Sequence, residues 1–269
     1  MCPLLDKVLA ICKMVGCRVG GRCVYCAFSV AALISVAGCS PAPPHEMGLA
    51  ITGAGPVFYA VFPSGPQKST SNLELSWGGT AMGGKLALAD IVIYKGGDAA
   101  VTAPAGWKLI RDDGGQFVRQ LLYWYAIKPG DPPAHVWSFG PAGAYVDAQG
   151  AVVLFDRAPL VNPVDSSSGT GSGSQDGSEP TAKSVKTRNH GELILVFDAD
   201  DFGGAGFSAP ENVGEILHEE TDIGGFWILG AYKRHKGDTG NITCHGGQGF
   251  HSVAATVAIP PADITAQTD

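Results

Sequence analysis

Apolar residues fall along this chain in short runs, each closed by turn-forming residues. Leu73, Leu75 and Trp77 alternate with polar neighbours, the mark of a strand with one buried face. Residues 57–62 and 121–127 are apolar at consecutive positions, 86–94 at all but Asp90, and the last two read as strands covered on both faces. Runs at 151–155, 193–197, 226–232 and 253–259 continue the series. Their spacing by turns is that of a sandwich or barrel, not of alternating βαβ units. The expected fold is all-β, a jelly-roll-like β-sandwich.

Residues 165–180 break the rhythm with a run of Ser, Gly and Asp that has no apolar side chain to bury, so a flexible loop is predicted there. The stretches on either side look alike. Ala103-Pro104 precedes Leu109-Ile110-Arg111-Asp112-Asp113, then Tyr125 and Gly130-Asp131; Ala209-Pro210 precedes Ile216-Leu217-His218-Glu219-Glu220, then Tyr232 and Gly237-Asp238. At a constant offset of 107, Asp112 and Asp113 fall on Glu219 and Glu220, and Tyr125 on Tyr232. Such a duplication predicts two halves packed face to face, because each alone would expose an apolar face. The expected divisions are a leader at 1–38, a tether at 39–55, a first half at 56–164, the loop at 165–180, a second half at 181–260 and a tail at 261–269.

Composition supports many short strands: 38 Gly and 18 Pro stand against only 16% charged residues. From Cys39 onward the chain holds 14 of the 18 basic and 24 of the 25 acidic residues, a net charge of -10. No block of Lys or Arg lies there to neutralise phosphates, which excludes nucleic acid as a partner. Six of the seven cysteines lie in the first 39 residues, so only Cys244 remains beyond them and a disulfide framework is excluded. Cys23 and Cys26 form one C-x-x-C without the second pair a zinc ribbon needs.

The leader has a legible order. Arg18 and Arg22 precede an uncharged apolar stretch at 24–36, too short to span a bilayer. It ends in Val36-Ala37-Gly38-Cys39, followed by Ser40 and Pro41-Ala42-Pro43-Pro44. This resembles the bacterial lipobox, with Val36 where Leu is more usual, and the resemblance implies acylation of Cys39 and cleavage before it. Ser40 in place of an acidic residue resembles lipoproteins sent to the outer membrane of Gram-negative cells. The expected address is the cell envelope, with a membrane partner through the lipid anchor.

A second resemblance rests on Ala103-Pro104-Ala105-Gly106-Trp107-Lys108-Leu109-Ile110-Arg111, on Tyr123-Trp124-Tyr125-Ala126, and on Asn162-Pro163-Val164-Asp165 before the Ser/Gly run. These are similar to β-sandwich domains of phage tail-fibre-like and bacterial surface proteins, over roughly residues 50 to 260. The resemblance implies fold; it supplies no catalytic residues.

Catalytic signatures are sparse, with no Gly-x-Ser-x-Gly elbow, His-Glu-x-x-His pair or phosphate loop. Cys244 and His245 would point to opposite faces of a strand, so Cys244 reads as a small buried hydrophobe. His245 and His251 flank a Gly-rich turn and with Asp238 could complete a metal site, or stand as surface histidines. Asp198, Asp200 and Asp201 at the end of a strand offer oxygen ligands for Ca²⁺, or form a solvated acidic turn. Trp107 and Trp137 follow Pro-containing loops and are the candidate platforms for a sugar ring, whereas Trp77, Trp124 and Trp227 read as core. The expected function is a non-enzymatic envelope domain binding a glycan or a surface protein. The alternatives are an envelope-polymer hydrolase using Asp112, Asp113, Glu219 or Glu220, and a purely structural lipoprotein.

Overall fold

The computed structural model describes residues 55–79, 82–141, 145–171, 175–176, 180–201, 208–210, 213–233, 235–244 and 251–262, and all regular structure there is β. The leader, Cys39, the tether up to residue 54, His245 and the tail from residue 263 lie outside the described residues. In the first half, the strands are β1 (Val57–Pro63), β2 (Gln67–Thr70), β3 (Asn72–Ser76), β4 (Leu86–Lys95), β5 (Ala100–Thr102), β6 (Lys108–Gly114), β7 (Arg119–Ala126), β8 (Ala134–Gly140) and β9 (Val146–Asp156). They form an inner sheet in the order β1-β9-β4-β7-β6, with β2 also on β9, and an outer sheet β3-β8-β5. The second half holds β10 (Ser166–Gly169), β11 (Gln175–Asp176), β12 (Thr181–Ala182), β13 (Lys186–Thr187), β14 (Glu192–Asp200), β15 (Gly214–Thr221), β16 (Gly224–Lys233), β17 (Gly237–Asp238), β18 (Ile242–Thr243) and β19 (His251–Ile259). Its inner sheet runs β10-β19-β14-β16-β15 with β11 also on β19, and the pairs β12-β18 and β13-β17 stand apart from it.

The two inner sheets repeat one strand order, and they pack against each other. Strand alternation sorts the side chains of β4: Leu86, Leu88, Val92 and Tyr94 enter the layer between the inner sheets, and Ala87, Ala89, Ile91 and Ile93 face the outer sheet. On β14, Leu193, Leu195, Phe197 and Ala199 meet the first half, while Ile194 and Val196 join small clusters with Val185, Ala182 and Cys244. The architecture is therefore a β-sandwich of two inner sheets, each with its own outer covering, and no sheet closes into a barrel. Burial on both faces explains why 86–94 and 193–197 carry no polar alternation.

Two readings are corrected. Residues 166–169, expected to be loop, are strand β10: Ser166 to Gly169 pair with Ala258 to Ala255 of β19. Backbone hydrogen bonds to an open strand edge, not apolar burial, hold the Ser-rich run in place. The offset between the halves also differs from 107 at the acidic hairpins. Register shifts bracket Ile110 on β6 and Ile216 on β15, so these bulged positions are equivalent and the offset through the hairpins is 106. Asp113 thus corresponds to Glu219 and Tyr125 to Ala231, while Tyr94 at the end of β4 corresponds to Asp201 after β14.

Contacts between the halves come in reciprocal pairs. From the first half, Asp113 accepts the Gly171 amide at 2.7 Å, and Gly114 donates to the Gly171 carbonyl at 2.7 Å. From the second half, the β15–β16 turn receives Tyr94, whose hydroxyl donates to the Gly225 carbonyl at 3.1 Å. Gly224 is required there: its φ is 149°, and a Cβ would lie 2.1 Å from Cε1 of Tyr94. Gly224→Ala should lower stability by about 2 kcal/mol or more, read as a drop in the urea midpoint at unchanged m-value. Gly130→Ala, at a positive-φ turn with open space around it, should cost only about 1 kcal/mol.

Candidate functional site

A cleft opens where the two inner sheets meet, with a volume of about 560 Å³ and lined by Tyr94, Lys95, Gly96, Asp98, Gln116, Phe117 and Asp201. Strand β4 delivers Tyr94 and Lys95 and then turns through Gly96, at φ 77°. The β6–β7 hairpin brings Gln116 and Phe117 to its tip, and Asp201 comes from the end of β14. Arg119 fixes the geometry. It forms two hydrogen bonds to Asp112, at 2.8 and 2.7 Å, and donates to the carbonyls of Gly97 and Ala99, both at 2.8 Å. The wall carrying Asp98 is thereby tied to the hairpin carrying Phe117, and the walls touch closely. A Cβ on Gly97 would stand 2.1 Å from the Gly115 carbonyl oxygen.

Phe117 is 47% exposed, one of four exposed Phe and Tyr rings among the described residues with Phe58, Tyr59 and Tyr145, and the one that lines the cleft. Its other face is occupied: the His251 ring stacks on it at 3.8 Å between centroids, 12° from parallel. His251 is held by Asp201, whose carboxylate pairs with Nδ1 at 2.6 Å and accepts the His251 backbone amide at 3.0 Å. A flat apolar surface thus stands beside two carboxylates, an amide and an ammonium group. Such a lining suits a ligand with an apolar face and a rim of hydroxyls.

The sequence-predicted platforms are elsewhere and closed. Trp137 is fully buried and Trp107 is 7% exposed, their rings 5.0 Å apart in a cluster with Trp77, Tyr125 and His135 under the outer sheet. The Pro-containing loops before them do not lift them into solvent, because Trp137 on β8 and Trp107 just before β6 both pack into the cluster that holds Ala87, Ala89, Ile91 and Ile93 of β4. Neither offers a face to a ligand. The acidic triplet is likewise divided by alternation. Asp198 and Asp200 point to the outer side of β14, where the Cys244 thiol donates to Asp198, and Asp201 turns to the cleft. Among the described residues no three His, Cys, Asp or Glu side chains gather as a metal site. Asp112 is paired with Arg119 and Asp113 with Arg111. Strand β6 lies against β10 and β19 and β15 is the far edge of its sheet, so the acidic pairs of the two hairpins do not converge.

Comparison with family models, with curated proteins and with solved structures finds no match.

Sequence reasoning missed Phe117, Lys95, Asp98 and Gln116. The available signal was a lone Phe inside Gly114-Gly115-Gln116-Phe117, a turn with no neighbouring apolar residue before Val118.

Asp198 adds a measurable property. Burial pushes its carboxyl up to about 7, against a smaller opposing effect of the Cys244 hydrogen bond. The folded state therefore holds a proton that the unfolded chain releases near pH 4. Stability from this group is complete below about pH 4 and is lost as pH rises through about 7. Asp198→Asn should flatten the thermal midpoint between pH 5 and 8, removing a change of about 3 kcal/mol. An unaltered slope would assign the pH dependence to other groups.

Proposed function

We propose that this chain is an exported, lipid-anchored protein of the cell envelope whose β-sandwich binds a glycan in the cleft at Phe117. The observation that carries the binding reading is the half-exposed Phe117 ring on one wall of that cleft, backed by His251. A pyranose presents an apolar face of C–H groups and an equatorial rim of hydroxyls. The face would stack on Phe117, and the rim would find acceptors in Asp98 and Asp201 and donors in Lys95 and Gln116. The role is binding without turnover. The anchoring part of the proposal rests on Val36-Ala37-Gly38-Cys39 and the tether that follows it. A protein held at a membrane by several acyl chains stays at the envelope surface, where polymeric glycans are abundant.

The full chain on a panel of envelope polysaccharide fragments and pyranose oligomers should retain at least one class. Phe117→Ala should lower that affinity at least tenfold, equivalent to about 1.4 kcal/mol, with the thermal midpoint unchanged within a few degrees. Retention unaffected by Phe117→Ala removes the ring from the site. New reducing ends released during incubation would turn the reading to a hydrolase, and no retention at all would leave a structural role. For the anchor, metabolic labelling with an acyl-chain analogue should mark the wild type, and Cys39→Ala should accumulate unlabelled precursor.

A further inference from the structure

The stack beneath Phe117 has a role of its own. Phe117 sits at the tip of a hairpin from the first half, yet what lies under it comes from the second half. His251 does not line the cleft; Phe117 and Asp201 do. His251 is fastened more firmly than a surface histidine needs to be. Asp201 engages both its backbone amide and its ring Nδ1, and the Asp201 amide returns a hydrogen bond to the His251 carbonyl at 3.1 Å. A ring at a hairpin tip has rotamer freedom that a ligand would have to remove on binding. A fixed imidazole against its inner face removes that freedom beforehand.

We infer that His251, fastened by Asp201, is a positioning residue, supplied by the second half to hold the Phe117 ring of the first half in binding orientation. The inference rests on the glycan reading for its consequence and on the stack alone for its geometry. The site is then composite. Its stacking ring belongs to the first half, whereas the second half adds the ring's support and one rim carboxylate, Asp201, and each half by itself presents an incomplete site. His251 acts through Phe117, not by touching the sugar.

The test compares the full chain with His251→Ala and His251→Tyr by two readouts. One is retention on the same panel of pyranose oligomers; the other is ordering of the Phe117 ring from aromatic ¹³C relaxation. His251→Ala should loosen the ring and weaken retention by about three- to tenfold, while the thermal midpoint shows the variant folded. His251→Tyr, which restores a flat ring beneath Phe117, should recover both readouts. A Phe117 ring as ordered in His251→Ala as in the parent overturns the inference, and so does retention unchanged when the ring has loosened. If the parent retains no panel member but the ring still loosens in His251→Ala and tightens in His251→Tyr, the positioning role stands and the glycan reading fails.

Discussion

Mutual burial of the two inner sheets is the constraint on which the rest of this structure depends. Strands β4, β9, β14 and β19 are covered on both faces, so neither inner sheet could persist in water as one half alone. The few polar groups admitted to the layer between them follow its rules. Asp90 is fully buried there, takes a hydrogen bond from Gln120 at 3.1 Å, and has its carboxyl raised well above the usual range by burial. A neutral acid is what an apolar layer tolerates; an ionised one would need a cation, and none of the described hydrogen bonds brings one to Asp90.

That interface is also what makes a cleft. The halves repeat one strand order, and Tyr94 and Asp201 hold equivalent places where the inner sheets end, yet the equivalent hairpin tips differ. In the second half, Gly224 yields space that Tyr94 fills and Gly225 space that Trp227 fills, and the Tyr94 hydroxyl donates to the Gly225 carbonyl, so the turn closes onto the first half. In the first half the corresponding positions are Val118 and Arg119. Val118 is buried and Arg119 is spent on Asp112 and two carbonyls, which leaves Phe117 standing outward over His251. One repeat seals and the other stays open, through the difference between a glycine pair and a bulky pair.

Much of the fold was legible because it is written in local pattern. Apolar residues at all positions of 86–94 but Asp90 announced a strand buried on both faces, and the paired A-P, acidic and G-D turns announced two similar halves. The offset came out one residue too large at the hairpins because the link from β14 to β15 is one residue shorter than that from β4 to β6, and letter matching aligned the acidic pairs without the bulges at Ile110 and Ile216 that fix the register. Strand β10 was illegible for a different reason: Ser166 to Gly169 bury nothing of their own and owe their order to the backbone edge of β19, far along the chain. The site was legible only in fragments. Asp201 and His251 both drew attention, each as a metal ligand, but they are 50 residues apart and meet only through the β14–β19 pairing. Tryptophan was preferred over Phe117 because large rings suggest platforms, whereas in this sandwich the large rings were consumed by the core.

The acidic run at the end of β14 shows how alternation can give one short segment two functions. Asp198 and Asp200 face the outer layer, and Asp201, one residue on, faces the cleft. A carboxylate pushed towards neutrality by burial and a carboxylate gripping an imidazole at the surface answer to different environments, although they are separated by three residues. Changes at Asp198 should therefore register in stability against pH, and changes at Asp201 in the order of the Phe117 ring. Because the two side chains project to opposite sides at the end of β14, one to Cys244 and the other to His251, their effects should add. Additivity between neighbours three apart in sequence is what a strand end, and not a metal-binding loop, would produce.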